Sequence, residues 1–170
     1  QVSVGDPVPP DDPDPEHYQP PVDTSWHLQL QGTPRLDVSA ELYELDLFDT
    51  SSQTIAALHA QQRKLLCYFS AGSLEEWRAD ASSFPSSVQG EPLTDWPGEV
   101  WLDIGGSKVR ELMRKRLQLA RDKGCDGVDP DNVDGYLQNS GFALSAADQL
   151  DYNRFLAREA RSEERRVGKE

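Results

Sequence analysis

Cysteine, histidine and methionine are scarce, at two, three and one in 170 residues. Two thiols make a poor metal site, and without an H-E-x-x-H pair the zinc hydrolases are excluded as well. A G-x-S-x-G elbow is missing, which sets aside the Ser-triad hydrolases, and no G-x-x-x-x-G-K-[ST] loop is present to cradle a phosphate. No apolar run approaches the roughly 18 residues that a membrane span needs. Positive charge is also short: 17 basic residues against 30 acidic ones leave a net charge of −13. Such a field repels nucleic acid and anionic membranes and leaves neutral or cationic partners. The length suits one ordinary domain of about 100–200 residues.

The apolar deficit is concentrated at the start. Residues 1–24 hold seven of the twelve prolines, six carboxylates and no Lys or Arg, a composition that cannot bury enough surface to offset the entropy of ordering. They read as a disordered acidic, Pro-rich linker. The chain opens on Gln1 and carries Met113 as its one methionine, so it reads as processed, with secretion or a cell-surface location expected.

From Trp26 the pattern becomes regular. Trp26-His27-Leu28-Gln29-Leu30 alternates, predicting a strand that ends near Gln31. Leu42 to Phe48 predicts a second, followed by a helix capped at Thr50, Ser51 or Ser52. Lys64 to Ser70 is a near-continuous apolar run, the mark of a strand buried on both faces of a parallel sheet. Residues 74–104, with Trp77, Trp96 and Trp101, read as a long ordered loop. Ser107 to Lys123 predicts a helix with one apolar stripe and a cationic, solvated outer face, closed by Gly124. Gly124 to Asp131 reads as a fourth strand whose hydrogen-bonded part stops near Asp129, because Pro130 has no N–H. A last helix starts at a capping box over Ser145 to Asp148. Cys67 and Cys125 fall in strand-like segments, read first as small buried thiols and second as a disulfide.

Strand and helix thus alternate four times, predicting an α/β fold with a parallel sheet. Units of this length suit a (β/α)8 TIM barrel, yet a whole barrel needs about 250 residues, which leaves either a small open sheet or a half barrel of the first four βα units. Boundaries follow: 1–24 linker, 25–161 α/β domain of the part-barrel kind, 162–170 charged tail.

In such sheets the site forms beyond the carboxyl ends of the strands. Those ends offer Gln29, Gln31, Asp46, Asp49, Tyr68, Ser70, Glu75, Trp77, Arg78, Asp80, Asp129, Asp131, Asn132 and Asp134. Carboxylates, amides and indoles together suit glycoside hydrolysis, in which a carboxylate faces an oxocarbenium-like centre, a second carboxyl protonates the leaving oxygen and indole covers the sugar. A calcium loop is disfavoured because Asp129, Asp131 and Asp134 miss the required register, so no metal and no cofactor are expected.

The strings Glu44-Leu45-Asp46-Leu47-Phe48-Asp49-Thr50, Cys67-Tyr68-Phe69-Ser70-Ala71-Gly72-Ser73, Glu75-Glu76-Trp77-Arg78-Ala79-Asp80 and Asp126-Gly127-Val128-Asp129-Pro130-Asp131-Asn132-Val133-Asp134 resemble glycoside hydrolase family 114, the endo-α-1,4-polygalactosaminidases. The resemblance runs in order from about Trp26 to Ala160. It implies a TIM-barrel hydrolase that cuts galactosamine polymers internally with retention, Asp131 as nucleophile, and an acid/base Glu on a later strand, beyond residue 170. Asp46, Asp49, Gln29, Tyr68, Trp77, Asp129, Asn132 and Asp134 are then candidate substrate contacts, with Arg78 a loop-pinning cation paired to Asp80 or Glu75. The expected partner is a cationic galactosamine-containing polysaccharide, and the full-length protein is expected to be a monomer. Two alternatives stay open: an exo-acting α-galactosidase, and a catalytically dead carbohydrate-binding fragment.

Overall fold

A computed structural model of the protein describes residues 18–167, so most of the linker expected over 1–24 lies outside the described residues. The elements are β1 (Trp26–Gln29), β2 (Leu42–Asp46), α1 (Ser52–Ala60), β3 (Lys64–Ser70), β4 (Ser73–Glu75), β5 (Gln89–Pro92), β6 (Glu99–Leu102), α2 (Ser107–Lys123), β7 (Gly127–Asp131) and α3 (Ala146–Val167). Four strands pair in parallel in the order β1-β2-β3-β7. The segment expected as a tail at 162–170 continues α3 as far as residue 167.

Alternation along the strands divides the sheet into two unlike faces. Tyr43, Leu45, Cys67 and Phe69 are wholly buried on one, where Ile55 and Leu58 of α1, Val109, Leu112, Met113 and Leu117 of α2, and Tyr152, Phe155 and Leu156 of α3 join them in a single core. Leu28, Glu44, Leu66, Tyr68, Asp129 and Asp131 follow the opposite parity, and all six keep solvent access. The ends of the helices are set as the sequence predicts. Ser51 Oγ accepts the Thr54 amide at 3.1 Å, Gly124 closes α2 at φ 92°, and Ser145 and Asp148 exchange backbone-to-side-chain bonds as a capping box.

Five expectations change. No helix joins β1 to β2: residues 30–41 are turns, with Val38 accepting the Tyr43 hydroxyl at 2.7 Å. Residues 74–104 contain a second, antiparallel sheet in the order β4-β6-β5. Its strands of three or four residues are too short to carry a period. The fourth parallel strand runs through Pro130, which pairs with Phe69. A missing donor is tolerated because β7 is the outermost strand of the described sheet. Nor is the cationic face of α2 simply solvated. Arg116 is 1% exposed, gives Ser70 O a bond of 2.6 Å and grips Asp80 with Nε and Nη2, while Lys123 caps the carbonyls of Leu47, Phe48 and Thr50.

The fifth change concerns the cysteines, which form a disulfide between β3 and the turn ahead of β7, with Cα atoms 6.0 Å apart. The two lie 58 residues apart, a loop that includes the whole antiparallel sheet and α2, so the crosslink removes much denatured-state freedom. Reduction, or the Cys67→Ser/Cys125→Ser pair, is expected to lower stability by about 2–4 kcal/mol. Urea unfolding with and without reductant measures it, and an unchanged midpoint contradicts it.

Candidate active site at the carboxyl end of the parallel sheet

The face of the sheet turned away from the helices is acidic. Asp46, Tyr68 and Asp129 stand side by side across β2, β3 and β7, with Ser70 and Asp131 in the row above. Asp131 is exposed, and the Tyr68 hydroxyl donates to its Oδ2 at 2.8 Å. Burial, the bond to Asp131 and the negative charges of Asp131, Glu75 and Glu99 together push the Tyr68 hydroxyl up, so it stays a donor at any ordinary pH. Tyr68 thereby fixes one oxygen of Asp131 and leaves Oδ1 to whatever enters the cleft.

One row deeper, Glu44 reaches Asp129. Burial first, then a hydrogen bond with Asp129 and the charges of Asp129 and Asp131, push the Glu44 carboxyl up to about 7. Like charges in a partly desolvated setting resist ionising together, so near neutrality a proton is held on this floor.

Around the strand ends the loops are locked by a buried cation. Arg78, 8% exposed, donates Nη1 to Asp46 Oδ1 at 2.9 Å and Nη2 to Asp46 Oδ2, while Nε and Nη2 hold Glu75 at 2.9 and 2.8 Å. Its guanidinium also lies 4.9 Å from the Phe48 ring centre. Of the two partners expected for Arg78, Glu75 is therefore present, while Asp80 belongs to Arg116. Asp46 accepts the amides of Phe48 and Asp49 in addition. With three donors on Oδ1, Arg78 on Oδ2 and 4% exposure, Asp46 is a structural anchor in this geometry and not a free sugar ligand.

The remaining candidates separate in the same way. The Gln29 amide is consumed by Gln31 O, Thr33 O and the Arg35 amide and so shapes the loop after β1. Asp49, its side chain 78% exposed with Arg78 at 3.6 Å, is open. A pocket of about 250 Å³ lies here, lined by Gln29, Leu30, Gly32, Pro34, Asp46, Asp49 and Thr50. Trp77 is 55% exposed beside the buried Arg78, whereas Trp101 is buried. Asn132, at φ 57°, donates Nδ2 to Ser70 Oγ at 2.8 Å. Asp134 takes a bond from Gln138 and lies at the head of a short 3-10 turn. Tyr68, Asp131, Asp129 and Asn132 are brought together; Gln29 and Asp49 line the pocket beside them, which Asp46, the neighbour of Tyr68 in the sheet, also borders.

Reading the sequence missed Glu44, Glu99, Ser73 and Gly72 as parts of this arrangement. Glu44 carried a signal, since it has the parity of Asp46 in β2. Glu99 carried none, because its strand is short and lies in the unrecognised second sheet. Gly72 matters by what it lacks: a Cβ there would sit 1.8 Å from the Asn132 carbonyl oxygen. Among the described residues no group of three or more His, Cys, Asp or Glu side chains is arranged to hold a metal ion.

Residues 9–169 match the model of glycoside-hydrolase family GH114. A comparison with curated proteins finds no match. Among solved structures the chain is similar to Ega3 of Aspergillus fumigatus in complex with galactosamine, at 49% identity and TM-score 0.85, over 86% of this chain and 59% of that one. In fold alone it resembles the glycoside hydrolase domain of PelA from Pseudomonas aeruginosa, at 17% identity and TM-score 0.63 over 84% and 55% of the two chains. The α-galactosidase TtGalA from Thermus thermophilus is alike in the same limited sense, at 14% identity and TM-score 0.56 over 74% and 30%. The chain therefore spans less than two thirds of each of these structures, and its architecture is that of a partial TIM barrel.

Two predictions follow from the geometry. A carboxyl whose pKa rises on folding takes up a proton between its unfolded and folded values, so Glu44 makes stability fall as pH climbs from 4.5 to about 7. Glu44→Gln is expected to flatten this slope, leaving the protein as stable as wild type near about pH 4 and more stable near about pH 8. Urea midpoints at both pH values decide it, and equal slopes count against the shared proton. Gly72→Ala forces the Asn132 backbone to move and is expected to cost about 1–3 kcal/mol; a melting temperature equal to wild type rejects the close approach.

Proposed function

The chain belongs to glycoside-hydrolase family GH114, and from that premise we propose that the protein hydrolyses α-1,4-linked galactosamine polymers, cutting internally and with retention of the anomeric configuration. The observation that carries the reading is Asp131: an exposed carboxylate at the end of the outermost parallel strand, with one oxygen held by Tyr68 at 2.8 Å and the other open. In this proposal Asp131 attacks the anomeric carbon as the glycosidic C–O bond breaks and the leaving sugar's oxygen takes a proton from an acid; the glycosyl ester so formed is later hydrolysed by water, which frees Asp131. A hydroxyl donor to the nucleophile lowers its basicity in the resting state and helps it leave in the second step.

The likeness to Ega3 in complex with galactosamine supports an amino sugar as the unit recognised. So does charge, because a chain at −13 draws a cationic polyamine toward an acidic cleft. Asp129 and Asn132 are proposed as contacts beside the nucleophile, with Asp49, Asp134 and Trp77 as contacts further along the polymer. Gln29 and Asp46 act by holding the loops that shape the cleft. Among the described carboxyls Glu44 has an acid-like pKa, but it faces Asp129 below the strand ends. The leaving-group acid is therefore expected from a strand following α3. The disulfide suits an oxidising compartment, which supports secretion or display at the cell surface.

The test is hydrolysis of deacetylated polygalactosamine by the protein in its natural reading frame. Asp131→Asn is expected to reduce kcat by about 10³-fold or more, and Tyr68→Phe by about tenfold to a hundredfold. Product sizes report internal cutting, and the first-formed anomer by NMR reports retention. Undiminished activity in Asp131→Asn overturns the assignment of the nucleophile. Activity confined to an aryl α-galactoside, released one unit at a time, overturns the substrate in favour of an exo-acting α-galactosidase.

A further inference from the structure

Glu99 is an unusual buried carboxylate. It lies on β6, in the antiparallel sheet, 7% exposed, and the nearby cation, Arg78, is already committed to Asp46 and Glu75. Its hydrogen-bonding neighbour is Ser73, whose hydroxyl donates to Glu99 Oε2 at 2.6 Å. Burying such a group with a single neutral partner costs free energy, and the negative charges of Glu75 and Asp131 add to that cost.

Counting donors shows where that bond leads. Ser70 Oγ accepts from the Ser73 amide at 3.0 Å and from Asn132 Nδ2 at 2.8 Å, so both of its lone pairs are used. Its own hydrogen must then point to Ser73 Oγ, 2.6 Å away. Ser73 Oγ, accepting from Ser70 and more weakly from Asn132 Nδ2 at 3.3 Å, has its hydrogen directed to Glu99. Each proton in the row thus faces Glu99, and the far end of the row is the side-chain amide next to Asp131. The carboxylate, which is acceptor-only, sets the direction of the whole sequence of bonds.

The direction has a consequence at Asn132. Because Ser70 demands a donor there, the amide is held with Nδ2 inward, and Oδ1 is the atom left for the cleft. The backbone is held equally firmly: Asn132 sits at φ 57°, its carbonyl lies against Gly72, and the Ala71 amide donates to Asp131 O at 2.9 Å.

We propose that Glu99 is a positioning residue for the candidate nucleophile, acting through Ser73 and Ser70 to fix the Asn132 amide and with it the strand end that carries Asp131. The inference rests on the reading of Asp131 as nucleophile. It assigns the antiparallel sheet a role in the chemistry, since that sheet supplies the carboxylate that polarises the row.

Kinetics of the full-length protein on deacetylated polygalactosamine test it, with Ser73→Ala, Ser73→Thr and Glu99→Gln compared. Ser73→Ala interrupts the row and is expected to lower kcat by about tenfold to a hundredfold with KM within about twofold of wild type. Ser73→Thr keeps the hydroxyl and is expected to restore most of kcat. Glu99→Gln offers a competing donor and is expected to lower kcat while remaining folded by circular dichroism. A lowered melting temperature with unchanged kcat in Ser73→Ala and Glu99→Gln overturns the positioning role, leaving Glu99 purely structural. If Ser73→Ala does not fold, Glu99→Gln alone decides. The Asp131→Asn control separates the two readings: a fully active Asp131→Asn means the nucleophile is elsewhere, whereas an inactive Asp131→Asn beside a wild-type Glu99→Gln removes this inference and spares that one.

Discussion

The carboxyl edge of the sheet depends on one buried guanidinium. Arg78 follows β4, yet its Nη atoms reach across to Asp46 at the end of β2 while its Nε and Nη2 hold Glu75, so a single side chain ties the parallel sheet to the antiparallel one. With both carboxylates bidentate and about as buried as Arg78 itself, removing any partner strands the others without water. A break of that kind costs about 3–5 kcal/mol, far more than the pair gains over an apolar substitute. Such an interaction therefore contributes geometry more than net stability. It fixes where the loop after β2 lies relative to β4, and hence the side of the pocket that Asp46 and Asp49 line.

Acidity in this protein is of two kinds. Asp46, Glu75, Asp80 and Asp126 are spent: the first two on Arg78, Asp80 on Arg116, and Asp126 on His59, Lys64 and the Leu65 amide at the opposite end of the sheet. Asp129, Asp131 and Glu44 are not matched by cations, and Glu44 carries the strain of that arrangement as a raised pKa. The proposed ammonium-bearing substrate relieves the mismatch where a neutral one does not, because it supplies the missing positive charge. The net charge alone did not distinguish these kinds; the hydrogen-bond partners do.

How much of this was legible beforehand depended on scale. The boundaries of β3 and α2 could be read residue by residue, since one is an unbroken apolar run and the other has a clear stripe ended by glycine. Asp131 and Tyr68 could be placed because parallel sheets put their chemistry at strand ends and the parity of β3 and β7 brings the two together. The antiparallel sheet was hidden: strands of three or four residues, one containing Gly90 and Pro92, are organised by their pairing and not by any local pattern. With it were hidden Glu99 and the polar row to Asn132. Arg116 was hidden for a different reason. A basic residue on the rim of an amphipathic helix looks solvated until a carbonyl such as Ser70 O and a carboxylate such as Asp80 are found facing it. The cysteines were undecided for a third reason, since spacing alone says nothing about whether two strands lie side by side.

The end of β3 shows why these hidden parts converge. Its last carbonyls, at Ser70 and Ala71, are taken by Arg116 from α2 and by the buried hydroxyl of Tyr152 from α3 at 2.6 Å. The amide of Ala71 is taken by Asp131 O of β7, and the Ser70 side chain by Asn132. Ordinarily the residues beyond a strand are the freest in an α/β unit, because nothing continues the ladder. Here two helices, a neighbouring strand and, through Ser73, the second sheet each claim one polar group of a two-residue segment. Gly72 then lets the chain turn away without colliding with Asn132. A nucleophile of the kind proposed for Asp131 needs a support of this stiffness, and short range alone does not provide it. The stiffness comes from satisfying every donor and acceptor at one point with partners drawn from separate elements, so that no single loop movement can release it.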